Sequence, residues 1–374
     1  MKKYKKTSIV AVALIAGAIA VTPVVSFAQQ IYERLSIQEA AKIMKENDLQ
    51  TEITMQDDEL GNMRAAFRRS GNYPSNNSNA NSWTATFRQN IEPAEREFQD
   101  AMEDFQDLNS ELSREMSSYQ QLYNYWLVAQ NKELEEENFK QATRDLENTR
   151  ARKAQGVASE MDVIQAEMAF NTAKASFEEA KNSHSMLKYQ INQKLEQPIT
   201  QDILITVPNI TYLSSNELQV NALTEELFNN HPYLKGNKIL LTAFEVTHNI
   251  VTADNYTPQF ESLPIYIERE VDYYNLSLRQ QKNQLEMLVY NYVDELKRLE
   301  EAIRLYEQNA NHGERTYQMA ERQFEQGLST FSELESARIN MLGSNLQLVA
   351  AKKDYMETKQ ELLLLKQGYM PGGA

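Results

Sequence analysis

The chain has 374 residues, a net charge of -15, 24% charged residues, 11 glycines and no cysteine. The negative balance excludes a nucleic-acid role, which needs a basic surface against phosphate, and the missing cysteines exclude disulfides, thiolate metal sites and a lipid-carrying cysteine. A mean hydropathy of -0.60 is low for a compact core of this size and suits elongated helices, each burying only a narrow apolar stripe.

Lys2, Lys3, Lys5 and Lys6 precede an apolar run from Ile9 to Val21; Pro23 breaks it, and Ser26-Phe27-Ala28 offers the small residues a signal peptidase reads. Residues 1–28 are therefore expected to be a secretory signal peptide cleaved after Ala28, because the run falls short of the ~20 residues a membrane span needs. An uncleaved anchor is the alternative reading. No later stretch is apolar enough for a membrane helix.

Ser36, with Glu39 three residues on, forms a capping box that opens a helix over 35–69. The segment 71–89 loses helical character through Asn72, Pro74, Asn76, Asn77, Asn79 and Asn81, and only Trp83-Thr84-Ala85-Thr86-Phe87 within it resembles a strand. Pro93 suits a first helical turn, with Glu92 and Glu95 beside the helix dipole. That helix is expected to reach Gln155, ~90 Å at 1.5 Å per residue, and a shorter one over 160–195 returns along it. Pro198 ends the first half. The run 203–207 is the best strand, a helix over 217–252 is broken or kinked at Pro232, and Pro258 and Pro264 flank a short strand at 263–267.

The stretch 285–365 organises the chain. Leu285, Tyr292, Leu299 and Tyr306 interleave with Val289, Leu296, Ile303 and Ala310 at steps of three and four, running on through Gly313, Tyr317, Ala320 and Phe324. Gly327-Leu328-Ser329-Thr330 interrupts the seam, and a second one carries Leu334, Met341, Leu348, Tyr355 and Leu362. A heptad spacing held this long predicts helices that coil around their neighbours, here as one long hairpin.

The pattern also occurs earlier. Counted from Gly156 as from Gly327, Val163, Phe170, Phe177 and Ile191 match Leu334, Met341, Leu348 and Leu362, and Ala166, Ala173 and Ala180 match Ala337, Ser344 and Ala351. Tyr123-Asn124-Tyr125 echoes Tyr290-Asn291-Tyr292, displaced by about one helical turn. The fold class is thus mainly α, a duplicated long antiparallel coiled-coil hairpin with a minor β component. The expected organisation is a signal peptide (1–28), a first repeat (29–197), a linking segment (198–216), a second repeat (217–368) and a disordered tail (369–374). The small-residue seam lets helices approach closely, and the aromatic stripe Tyr292, Tyr306, Tyr317 and Phe324 reads as core.

No catalytic constellation is present, and no cofactor or metal site is expected. His184, His231, His248 and His312 lack ligand spacing, and there is no Gly-rich phosphate loop or nucleophile elbow. His184, on the heptad seam, is expected to pack. Serines and threonines at the turns read as helix caps.

Gly156-Val157-Ala158-Ser159-Glu160-Met161-Asp162-Val163-Ile164-Gln165-Ala166 and Gly327-Leu328-Ser329-Thr330-Phe331-Ser332-Glu333-Leu334-Glu335-Ser336-Ala337 both resemble the tip signature of TolC-family outer-membrane efflux proteins. The resemblance covers nearly the whole mature chain. It implies a TolC-like α-barrel in which each half sets one long helix beside two short stacked ones, three protomers close a twelve-helix tunnel, and the strand near Ile203 lies in an equatorial belt. It further implies a homotrimeric efflux or secretion duct in the cell envelope, working with a periplasmic adaptor (membrane fusion) protein and an inner-membrane transporter. Gly156, Val157, Ala158 and Ser159, with Gly327, Leu328, Ser329 and Thr330, would be the adaptor-binding tips; Asp162 and Glu333 would be aperture acids forming a negative ring. The family's second acid is replaced by Gln165 and Ser336. A second departure is the barrel: two spanning strands and a turn need about 25 residues, and the inserts 71–90 and 254–268 are too short or marginal and lack lipid-facing alternation. Reduced or missing barrel strands are expected. The alternative function is an exported coiled-coil scaffold that keeps the fold without a membrane barrel.

Overall fold

The computed structural model describes residues 34–46, 83–206, 209–253 and 263–371. The expected signal peptide, most of the helix over 35–69 and most of both inserts lie outside them. In chain order the elements are β1 (Arg34–Ser36), α1 (Ile37–Glu46), α2 (Glu92–Ala154), α3 (Glu160–Lys194), β2 (Leu204–Thr206), α4 (Val220–Asn230), α5 (Lys235–Val251), α6 (Leu263–Glu325) and α7 (Phe331–Leu365).

The duplication governs the architecture. Helices α2 and α6 are both 63 residues long, α3 and α7 are both 35, and each long helix ends two residues before its glycine. At 1.5 Å per residue the long helices reach ~95 Å. Because the glycines set the register, the Tyr-Asn-Tyr runs are not equivalent: Tyr123 and Tyr125 are buried whereas Tyr290 is exposed.

Helix α3 packs on α2, α2 on α7, and α7 on α6, so four helices lie side by side in the order α3–α2–α7–α6. Helix α5 lies against both α2 and α6, α1 against α2 and α4 against α6. The seam of α6 is the centre of the core: Leu285, Val289, Val293 and Ile303 are fully buried, with Leu296 and Leu299 nearly so, against Leu362, Leu365 and Tyr355 of α7. Each such side chain contributes about 1.5–3 kcal/mol. Gly313 lets the hairpin close tightly, since a Cβ there would stand 3.2 Å from the Met341 backbone.

At the waist, β1 and β2 pair in parallel, Leu35 opposite Ile205. The strand expected over 203–207 is present as Leu204–Thr206, and its partner β1 precedes the capping box in which Glu39 accepts from the Ser36 amide at 3.1 Å. Asn192, fully buried, donates to the Ile199 and Gln201 carbonyls at 2.8 Å and accepts from Gln197 at 2.6 Å, closing the turn after α3. The break expected at Pro232 is a 3-10 turn between α4 and α5, capped by His231 Nδ1 accepting from the Tyr233 amide at 3.2 Å. His184 stacks on Tyr125 with centroids 4.9 Å apart.

Three expectations are corrected. Trp83-Thr84-Ala85-Thr86-Phe87 is not a strand: Trp83–Thr86 is a helical turn that runs through a π-turn, Phe87–Ile91, into α2. Phe87 and Ile91 pack with Phe244 and Val251 of α5, and this burial overrides their strand propensity. Residues 263–267 are the first turn of α6, where Pro264 needs no amide partner and Leu263 and Ile267 are fully buried. The tail is not frayed at Met370, which is buried and whose amide donates to the Asn109 side chain at 2.7 Å.

Candidate functional site at the hairpin tips

Both hairpins reverse in the same way, by a helix C-cap motif joined directly to a helix N-cap motif. The Gly156 amide donates to the Lys153 carbonyl at 2.9 Å and the Val157 amide to the Arg152 carbonyl at 2.9 Å. In the second hairpin the Gly327 amide donates to Phe324 at 2.9 Å and the Leu328 amide to Gln323 at 2.8 Å. This is the Schellman pattern, which requires a left-handed residue after the helix. Gly156 and Gly327 supply it, with φ of 76° and 70°, a conformation a Cβ disfavours. A Cβ at either would meet nothing within 4 Å, so backbone conformation rather than packing demands glycine there.

Three residues on, Ser159 and Thr330 cap the returning helices. The Ser159 hydroxyl accepts from the Asp162 amide at 3.2 Å, while Asp162 Oδ2 accepts from the Ser159 amide at 2.7 Å and hydroxyl at 2.9 Å. Thr330 and Glu333 repeat the box, the carboxylate accepting from the Thr330 amide at 2.7 Å and hydroxyl at 3.0 Å. These backbone and hydroxyl donors hold both exposed carboxyls below their usual range. Asp162 and Glu333 are thus capping residues, and their described hydrogen bonds fall on one carboxylate oxygen each.

Between cap and glycine each tip raises one apolar side chain into solvent: Val157 is 64% exposed and Leu328 74%. Ala158 is half-buried beside Val157, and its counterpart Ser329, also half-buried, turns back to donate to the Ala320 carbonyl at 3.4 Å. Phe331 meets Phe324 with centroids 5.6 Å apart, so the aromatic stripe, buried at Tyr292, ends in a partly exposed pair.

Sequence reasoning missed the charged clasp behind the tips. Arg144 of α2 reaches Glu335 of α7 at 2.7 Å and lies 5.0 Å over the Phe331 ring. Arg338 reaches Glu137 at 3.5 Å, and Gln141 donates to Ser336 at 3.1 Å. Both Glu137 and Glu335 are buried. A signal existed, since Glu335 directly follows the seam residue Leu334, but sequence names no partner across two hairpins. Among the described residues no cluster of three metal-ligating side chains occurs.

No protein-family model and no curated protein sequence matches the chain. Solved structures do. The Campylobacter jejuni CmeC outer membrane channel superposes with a TM-score of 0.61 at 11% identity, covering 90% of this chain and 87% of that one. A membrane protein from Pseudomonas aeruginosa gives 0.58 at 10% identity over 90% and 91%. The open state of the Neisseria gonorrhoeae MtrE outer membrane channel gives 0.55 at 12% identity over 89% of each. At such identities the likeness is one of fold: the chain has the TolC-like α-barrel fold of these channels.

Proposed function

We propose that this chain is a TolC-like efflux or secretion duct of the cell envelope. Three copies close their helices around a hollow, a periplasmic adaptor meets the tips, and an inner-membrane transporter drives solute through. The observation that carries the reading is a fold held in common with outer-membrane channels over about 90% of the chain. The tips support it. Val157 and Leu328 are presented by turns whose hydrogen bonds are closed internally, which leaves these side chains and little else to a partner. Asp162 and Glu333 hold the tips in shape and, repeated around a threefold axis, would present a negative ring at the entrance that favours cations.

One observation favours a second reading, an exported scaffold that keeps the fold without a membrane barrel. Between Val251 and Leu263 there is far less chain than the ~25 residues that two spanning strands and their turn require.

Mass measurement and bilayer conductance of the mature chain separate these readings. A duct is a trimer that conducts. A trimer that never conducts supports the scaffold, and a chain that stays monomeric at high concentration refutes the duct.

A further inference from the structure

Away from the tips, a groove of about 780 Å³ runs between the first turns of α2 and the junction of α4 with α5. That is the size of a small-molecule site. A Cβ at Gly236 would stand 2.9 Å from the Phe98 ring, so α5 is held against α2 along one flank, and the groove opens on the other. Its floor is apolar: Ala94 and Ala101 of α2, the buried Phe105 ring, and Ile239 of α5.

The two rims of the groove carry opposite charge. Glu97 and Asp104, both exposed, stand on the α2 side, ~10 Å apart along the helix. Lys235, exposed, and Lys238, half-buried, stand on the α5 side. Among the described residues no ion pair joins one rim to the other. Lys238 donates to the Phe228 carbonyl at 2.6 Å and to the Asn229 carbonyl at 3.3 Å, which uses two of an ammonium's three hydrogens. Burial and the neighbouring Lys282 hold its pKa below the usual lysine value, the mark of a cation that an arriving carboxylate would relieve.

We infer that this groove binds a short free peptide, with its ammonium on the acidic rim, its carboxylate on the basic rim and an apolar side chain over Phe105. A ligand carrying both charges and an apolar body satisfies all three surfaces at once. A simple anion would face Glu97 and Asp104, and a simple cation would face Lys235 and Lys238, so either would be repelled by one rim. Length narrows the class: the ~10 Å of acidic rim matches about three extended residues at ~3.3 Å each. The site lies within one chain and needs no ring of copies, so it adds a ligand to the duct reading without depending on it.

Calorimetric titration of the mature chain with the tripeptide alanyl-phenylalanyl-alanine provides the test. The free peptide should bind once per chain. Acetylating its amino end or amidating its carboxyl end should each weaken binding about fivefold, the worth of one ion pair at a solvated rim, and both together about 25-fold. Lys235→Gln should shrink the difference between free and amidated peptide while leaving the effect of acetylation. Glu97→Gln with Asp104→Asn should do the reverse. All three side chains are exposed, so the variants should keep the fold, which circular dichroism checks. Three results would overturn the inference: no binding of the free peptide at millimolar concentration, equal binding of the doubly capped peptide, or binding that neither rim variant changes. The second would mean an apolar groove without charge selection, and the third a peptide bound elsewhere. None of them touches the oligomeric state or conductance on which the duct reading stands.

Discussion

The buried clasp between the two hairpins gives the sharpest test of the energetics, because its two charges are unequally exposed. The Glu335 side chain is 8% exposed and that of Arg144 35%, with 2.7 Å between them. At an effective dielectric of about 20 their attraction is roughly 4–6 kcal/mol, opposed by the cost of desolvating both. Arg144→Met leaves a buried carboxylate without its partner, worth about 3 kcal/mol, and also loses the cation–ring contact of about 0.5–1 kcal/mol. Glu335→Gln keeps the shape and one acceptor, and leaves an arginine that can turn to water; about 1 kcal/mol is expected. Amide exchange of the peptides spanning 137–144 and 331–338 reads local opening directly. The first variant should raise it by roughly 400- to 900-fold and the second by about 5-fold, since 1.36 kcal/mol is a factor of ten. The double variant should exchange more slowly than Arg144→Met alone, because no buried charge is then left unpaired. Equal effects of the two single variants, or a larger one from Glu335→Gln, would refute the assignment of the burial cost to Glu335.

Four further outcomes are expected. Gly156→Val and Gly327→Val force a β-branched residue to positive φ at a cost of about 1–3 kcal/mol per tip; adaptor binding should fall while circular dichroism changes little, and Gly→Asn should be milder. The depressed carboxyls of Asp162 and Glu333 contribute stability that is present above their unfolded pKa values of about 3.9 and 4.3 and lost as pH falls through the lower folded values. Tip amide protection should therefore be flat from pH 7 to about 5 and decline only at stronger acidity, and Ser159→Ala should move the Asp162 titration upward by NMR. Asp162→Asn with Glu333→Gln should reduce the cation preference of bilayer conductance; an unchanged preference would confine both acids to capping. Asn109→Leu removes the buried acceptor of the Met370 amide, a loss of about 1–3 kcal/mol, and carboxypeptidase should then trim the tail faster.

Much of this was legible in the residues. The glycine–hydroxyl–acid spacing around Gly156 and Gly327 prescribes a left-handed C-cap followed by a capping box, both local motifs set by residues a few positions apart. The heptad seam of α6 likewise named its buried side chains, from Leu285 to Ile303, because one helix face repeats every seven residues. The errors fell where local preference was overruled at a distance. Trp83 to Phe87 carries strand-forming residues, and only Phe244 and Val251, far along the chain, make the helix the better burial. Met370 looked like a loose end because nothing near it in sequence predicts Asn109.

Sequence alone, then, determined the periods: where helices run, where they turn, and that the plan occurs twice. It could not determine which hairpin face meets which, since α2 and α6 carry similar stripes and each could serve as an inner or an outer edge. The tertiary structure decided that by placing α2 against α7 with Arg144 on Glu335, leaving the outer faces of α6 and α3 exposed. A stripe says that a face must be covered; only the arrangement of whole helices, each closing off some neighbours and admitting others, says by what.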